Sequence, residues 1–345
     1  MSNRILLALI TALALTLNFT GCQRASGKPK VAFVSNNAHG FWTFAQRGAE
    51  AAAKEFDVEL EFRKPSEDSA KVQREIIEDL MNRRCKGVAV SPNDPENNLN
   101  FFKNNVASKI ALVMADNDLP DTSARRCYIG THNYRAGRAA GELVKQAIPD
   151  GGKIAIFVGK MDASNAQERR QGVLDVLAGI DSKEMPAKIT PADAVNLSLG
   201  KYILIGTRTD GSKEPECLAK AEDLLNKHPD VACMIGLWEY NPPAILRAVR
   251  GSANPKKPAI VAFDENPQTL DGIRKGEIIG TIVQNPYEFG YQSIKVLAHF
   301  ANGKDDILKT WPGIEDGGRI FVPHRVITKD NVDTFEAEVN KILGK

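Results

Sequence analysis

From Val31 onward the chain alternates short, β-branched apolar runs with amphipathic, alanine-rich stretches, and no long structureless gap separates them. That alternation constrains the fold most. Runs this short and apolar suit strands buried on both faces, and strands that alternate with helices build parallel sheets. Strands are expected over 31–35, 58–63, 87–91, 110–115 and 128–130, then over 153–158, 202–207, 231–236, 259–263 and 279–283. Helices are expected over 42–55, 69–83, 95–108, 134–147, 165–178, 215–228, 241–250 and 267–275, followed by 288–301 and 332–343. The two series read as structural repeats of one βαβ architecture, although no sequence repeat is visible. A chain of 345 residues is too long for one typical core, so an α/β protein of two Rossmann-like domains is the default.

The N-terminus reads differently. Arg4 precedes an apolar run that continues to Leu17, too short for a membrane span but suited to a signal peptide over 1–21. It ends at Phe19-Thr20-Gly21-Cys22, small residues before a cysteine, which resembles a bacterial lipobox. Cys22 is then the expected point of lipid attachment, 22–29 a polar tether, and the membrane is contacted only through that anchor. Gln23, where aspartate would hold a lipoprotein back, favours the outer membrane in a bacterium that has two.

Composition excludes some functions. The net charge is +2 and no basic run is interleaved with aromatics, so no nucleic-acid partner is expected. Cys85, Cys127, Cys217 and Cys233 form no CxxC pair or Cys/His cluster, so no metal and no cofactor are expected. Buried free thiols are the better reading of the four, although an oxidising compartment also permits disulfides. His39, Asp116 and Asp264 could be drawn as an acid–base set, but no nucleophile elbow, metal-ligand cluster or phosphate-cradling glycine loop accompanies them. An enzyme is therefore not expected.

The stretch 31–42, VAFVSNNAHGFW, is a strand, a polar loop and a helix start. In open α/β sheets ligands bind outside the carboxyl ends of the strands, where this loop lies. Phe41 and Trp42 either face that loop or form the first buried turn of the helix; as neighbours they point apart, so at most one packs inward easily. Asp116-Asn117, Trp238, Asp264 and Gln284 also follow expected strands. The plain alternatives are a turn-forming aspartate and a core tryptophan. Arg169 and Arg170 sit in DASNAQERRQG, where a solvated helix charge is the ordinary fate of an arginine.

These residues together resemble the ribose-binding protein type of periplasmic sugar receptor. The resemblance runs from about Lys30 to at least Phe321 and implies the type I periplasmic binding protein fold, with two lobes joined by a three-strand hinge. The lobes are then 30–132 plus 285–311 and 133–284 plus 312–345, with crossings near 131–133, 284–286 and 310–313. The helix over 288–301 returns to the first lobe, and the tail from Asp316 packs on the second. In that family adjacent aromatics stack on the sugar, which matches Phe41 and Trp42. An asparagine two residues before them becomes His39. Asp116 matches an aspartate that binds hydroxyls, but Asn117 stands where an arginine usually follows. Arg169 falls on the ligand-binding arginine and Arg170 is left as the solvated one. Trp238 replaces a small amide, while Asp264 and Gln284 match the family's strand-end aspartate and hinge glutamine. Thr131-His132-Asn133 resembles the first crossing, with His132 in place of aspartate, and Ser91-Pro92-Asn93 also faces the cleft.

What the resemblance implies is a monomeric receptor that captures a monosaccharide and delivers it to an ABC-type membrane permease. A sensor presenting its ligand to a receptor kinase or chemoreceptor uses the same fold and is the alternative. A sugar-responsive repressor would need a DNA-binding helix-turn-helix where this chain has its signal and lipobox. His39, Asn117 and Trp238 alter three partners together, which implies a pentose-like or related small ligand other than ribose, with more aromatic coverage.

Overall fold

A computed structural model describes residues 27–182 and 184–344. The expected signal segment, Cys22 and tether residues 23–26 lie outside the described residues. In chain order the elements are β1 (Lys30–Val34), α1 (Phe41–Glu55), β2 (Glu59–Arg63), α2 (Ala70–Asn82), β3 (Gly87–Val90), α3 (Pro95–Asn100), β4 (Ala111–Ala115) and β5 (Cys127–Gly130). A second series follows with α4 (Asn133–Ala147), β6 (Gly152–Val158), α5 (Ser164–Leu177), β7 (Leu197–Leu199), β8 (Tyr202–Thr209), α6 (Glu214–Lys227) and β9 (Val231–Gly236). It continues with α7 (Asn241–Gly251), β10 (Ala259–Phe263), α8 (Pro267–Arg274) and β11 (Gly280–Val283). The chain closes with α9 (Pro286–Ala301), β12 (Ile314–Glu315), β13 (Arg319–Phe321), β14 (Arg325–Thr328) and α10 (Val332–Leu343).

Two sheets result, in the orders β12-β13-β5-β4-β3-β1-β2 and β14-β11-β10-β9-β6-β8-β7. Without their edges both have the same parallel core, β2-β1-β3-β4-β5 and β8-β6-β9-β10-β11. In that doubly wound order the topological switch lies between β1 and β3, and correspondingly between β6 and β9. The central strands are covered on both faces: Val31 to Val34, Val88 to Val90 and Ile260 to Phe263 are fully buried. Their continuous apolar character is what double-sided burial demands.

The edges differ from expectation. β7 pairs antiparallel with β8, β14 with β11, and β12 with β13. These strands are too short to carry a periodic pattern. They also move the third crossing. Arg319, Ile320 and Phe321 pair in parallel with Tyr128, Ile129 and Gly130, so 314–321 belongs to the first sheet rather than to the second lobe. The chain passes over at 322–324, not near 310–313. Beyond it, α10 buries Val332 and Phe335 in the second lobe's core. The helix expected over 95–108 is α-helical only as α3 and continues as a π-helical turn, Phe101–Val106, which buries Phe102 and Val106.

The return of α9 to the first lobe rests on two glycines. A Cβ at Gly48 would stand 1.9 Å from the Tyr287 carbonyl oxygen, and one at Gly290 1.9 Å from that of Ala45. Backbone approach this close excludes any side chain. It seats Phe289, Ile294, Val296, Leu297 and Phe300 against α1 in one core. Cys85, Cys127, Cys217 and Cys233 are free and buried. No helix among the described residues is long and apolar enough to cross a membrane.

Candidate functional site: the cleft between the lobes

The carboxyl ends of both sheets face a common cleft with a cavity volume of about 660 Å³. Two comparable depressions, one lined by Cys85, Lys86 and Ile110 and the other by Gly151, Pro258 and Ala259, lie at the opposite strand ends. His39, Phe41, Trp42, Asp116, Asn117, Arg169, Trp238, Asp264 and Gln284 all line the cleft.

Two aspartates occupy equivalent places. Asp116 follows β4 and Asp264 follows β10, each on the fourth strand of its parallel core. Their φ angles are +64° and +65°, in the left-handed region that non-glycine residues enter at a cost. Each backbone N–H still extends the ladder, Asp116 to Ile129 O at 3.0 Å and Asp264 to Ile282 O at 2.9 Å. The two residues are 7% and 4% exposed. Asp116 Oδ2 accepts from Ser91 Oγ at 3.3 Å and from Asn117 Nδ2 at 3.2 Å, while Asp264 Oδ1 accepts from Gln284 Nε2 at 2.9 Å. An ionised carboxylate only accepts, so in both pairs the amide nitrogen must face the acid. Asn117 Oδ1 and Gln284 Oε1 are left buried with no partner.

Arg169 lies between them, 2% exposed. Its Nε donates to Asn133 Oδ1 at 2.9 Å and its Nη1 to the Leu237 carbonyl at 2.8 Å. The guanidinium sits 4.7 Å from the centre of the Phe263 ring, and Nη1 is 4.0 Å from Asp264 Oδ2. Its position is set by close contact of α4 with α5. A Cβ at Gly137 would be 2.1 Å from Arg169 O, and one at Gly172 2.3 Å from Tyr134 O. Loss of hydration pushes both aspartates up to about 6, and Arg169 opposes the rise in each. Asp264 raises Asp116 further, so the acids of the two lobes feel one another.

The aromatics divide as their adjacency requires. Trp42 turns into the first-lobe core at 2% exposure, its Nε1 held by Asn36 Oδ1 at 2.9 Å, and offers the cleft only part of its ring. Phe41 packs edge-on against it with centroids 5.1 Å apart. Trp238 crosses the start of the β6 loop, where a Cβ at Gly159 would meet its Cζ3 at 1.9 Å. Its Nε1 is buried without a partner. Tyr240, hydrogen-bonded to Asp210, braces the ring edge-on at 6.5 Å. His39 is exposed at the mouth. Across the lips Lys160 Nζ approaches Asp68 Oδ2 to 3.2 Å.

Several roles differ from the sequence reading. Arg170 is not a solvated charge. It is 1% exposed, with Nε on Thr207 Oγ1 and its Nη groups on the Thr190 and Pro191 carbonyls, which pins the long connection before β7. His132 caps α4, accepting from Arg135 N–H at 3.4 Å. Gln73 belongs to no sequence motif, yet its Nε2 donates to Ser35 O and Ser91 O and its Oε1 accepts from Asn93 N–H. It ties together the loops after β1 and β3. The available signal was a glutamine sharing the inward face of α2 with Ile77 and Leu80, at i, i+4 and i+7. Asn165, outside the residues the sequence pattern marks, also lines the cleft with its Oδ1 unpaired.

A family model described as a periplasmic binding protein domain matches residues 31–305. The D-allose-binding periplasmic protein of Escherichia coli (strain K12) is 22% identical over 74% of this chain and 79% of its own. The ribose import binding protein RbsB of Salmonella typhimurium is 23% identical over 88% and 95%. Among solved structures, an ABC transporter solute binding protein from Burkholderia graminis C4D1M in complex with D-arabinose superposes with a TM-score of 0.74 at 26% identity, over 88% of this chain and 96% of that one.

Proposed function

The chain belongs to the periplasmic binding protein family, and from that premise we propose that it captures a small monosaccharide between its lobes and hands it to an ABC-type permease. One observation carries this reading. Two buried carboxylates from different lobes, a buried arginine and several unpaired polar atoms converge on one cleft. Vicinal hydroxyls suit such a set, because each can donate to a carboxylate or amide oxygen and accept from a guanidinium or indole N–H. Phe41 and Trp238 supply faces for the sugar's C–H surface. A neutral hydrogen bond nets about 1 kcal/mol and one to a charged group roughly 1.5–3, so five or six of them give micromolar binding. Relatives named for allose and ribose, and a structural neighbour holding D-arabinose, support a pentose or related small sugar as the ligand.

Ligand contacts on both lobes favour the state in which the lobes meet, the usual behaviour of this family. The site serves binding and release, not turnover. In this reading the protein is exported, anchored through Cys22 and monomeric. The test is a thermal-shift screen of protein refolded from denaturant against monosaccharides, polyols and nucleosides. A ligand at a hundred times its Kd stabilises the native state by about 2.7 kcal/mol. One sugar giving a large shift and recovered unchanged supports the reading. A sugar consumed during incubation, or a panel without effect, overturns it.

A further inference from the structure

We propose that the ligand carries a cationic amine in addition to its hydroxyls, making it an amino sugar or amino polyol. This rests on the reading of the cleft as a sugar site and concerns its charge. Asp116 and Asp264 are both buried, and Arg169 is the one buried guanidinium between them among the described residues. Two of the five N–H groups of that guanidinium go to the neutral oxygens of Asn133 and Leu237, and it pairs with Asp264 only at 4.0 Å. Two buried carboxylates thus share one buried cation, and a buried charge without full compensation is costly.

Unpaired atoms point the same way. Asn117 and Gln284 are 8% and 6% exposed, and their amide nitrogens are held by the two carboxylates, so both present bare oxygens. These are acceptors awaiting donors. An ammonium brings three N–H donors, no acceptor and a positive charge. The mouth adds Glu67, Asp68, Asp94, Glu96, Asp162 and Glu239, against Lys160 alone among lysines and arginines there. Such a lining concentrates cations and repels anions. The carboxylate of a sugar acid or the phosphate of a sugar phosphate would add acceptors and negative charge where the cleft already holds both.

The experiment is isothermal titration at pH 7 with matched sets: D-ribose and 2-amino-2-deoxy-D-ribose; D-xylose and 2-amino-2-deoxy-D-xylose; D-glucose, D-glucosamine and D-glucuronate; D-galactose, D-galactosamine and D-galacturonate; sorbitol and glucamine. Replacing a neutral hydrogen bond by a charged one predicts about tenfold tighter binding of the amine in the set that fits. In Asp116→Asn that preference shrinks severalfold while the neutral sugar loses less. A neutral or acidic sugar binding as tightly as its amine overturns the proposal and leaves the sugar reading standing. An amine preference unchanged in Asp116→Asn and in Asp264→Asn overturns the assignment to these carboxylates. No binding by any member overturns the sugar reading and this proposal together.

Discussion

Gln284 donates its Nε2–H to Asp264 Oδ1 across 2.9 Å, which leaves its own Oε1 buried and unpaired in a residue that lines the cleft. The two residues lie twenty positions apart, behind adjacent parallel strands. Gln284 also stands where the chain leaves β11 for α9 and the other lobe. A ligand that bonds this amide is therefore held at the crossing itself.

Asp264→Ala should weaken ligand binding by more than about a hundredfold, the loss of two hydrogen bonds to a charged group. The fold should survive, because the carboxylate is only partly compensated and Arg169 keeps its bonds to Asn133 and Leu237. Titration calorimetry and a thermal melt check this, and wild-type affinity in the variant would remove Asp264 from the site.

Asp116 and Asp264 should each take stability from the ligand-free protein as pH rises from about 4 to about 6. Asp116 and Asp264 titrate near 6 in the fold, above their ordinary 3.8, because burial disfavours the charged form. Between those values the folded chain binds more protons than the unfolded one, so unfolding becomes easier as pH increases. For Asp116 the cost of ionisation in the fold is on the order of 3 kcal/mol. Urea denaturation at pH 4.5 and pH 7 measures it, and Asp116→Asn should flatten the difference.

Gly137→Ala should destabilise the protein by about 1–3 kcal/mol and weaken binding as well. The new methyl meets backbone of Arg169, so α5 must retreat and carry the guanidinium with it. Gly141→Ala is the graded comparison, because its methyl meets the far end of the same helix, Val176 Cβ at 2.8 Å and Val173 O at 3.2 Å, and should shift Arg169 less. Equal effects on affinity in the two variants would show that helix spacing does not position Arg169.

Tryptophan fluorescence should report ligand through Trp238. Trp311 is buried in the first lobe's core and Trp42 shows the cleft only part of its ring with its indole N–H held by Asn36, whereas Trp238 lines the cleft with a free indole N–H. Trp238→Phe should abolish the ligand-induced change, and Trp42→Phe should preserve it. A change that persists in Trp238→Phe would place the ligand elsewhere.

The parallel cores were legible because strands covered on both faces must be apolar throughout, as in Val31 to Val34. The cleft was legible because ligand groups in such a fold cluster just past strand ends, where Asp116, Asp264 and Gln284 lie. Short edge strands were not, since a stretch such as Arg319 to Phe321 has no period to read and is defined by its partner β5. Arg170 shows the other limit. Nothing in its helix distinguishes it from a solvated arginine, and its burial depends on carbonyls about twenty residues away. Whether Phe41 or Trp42 turned inward was likewise decided by tertiary contacts, with Asn36 and Phe33 receiving the indole.

The most direct measurement is calorimetric titration of the refolded protein with the sugar that stabilises it most, with the sugar recovered and identified afterwards. One unchanged ligand per chain, bound at micromolar Kd and lost in Asp264→Ala, is the predicted result. No saturable heat with any sugar, or a sugar returned chemically altered, would contradict a receptor that binds between its lobes and releases what it bound.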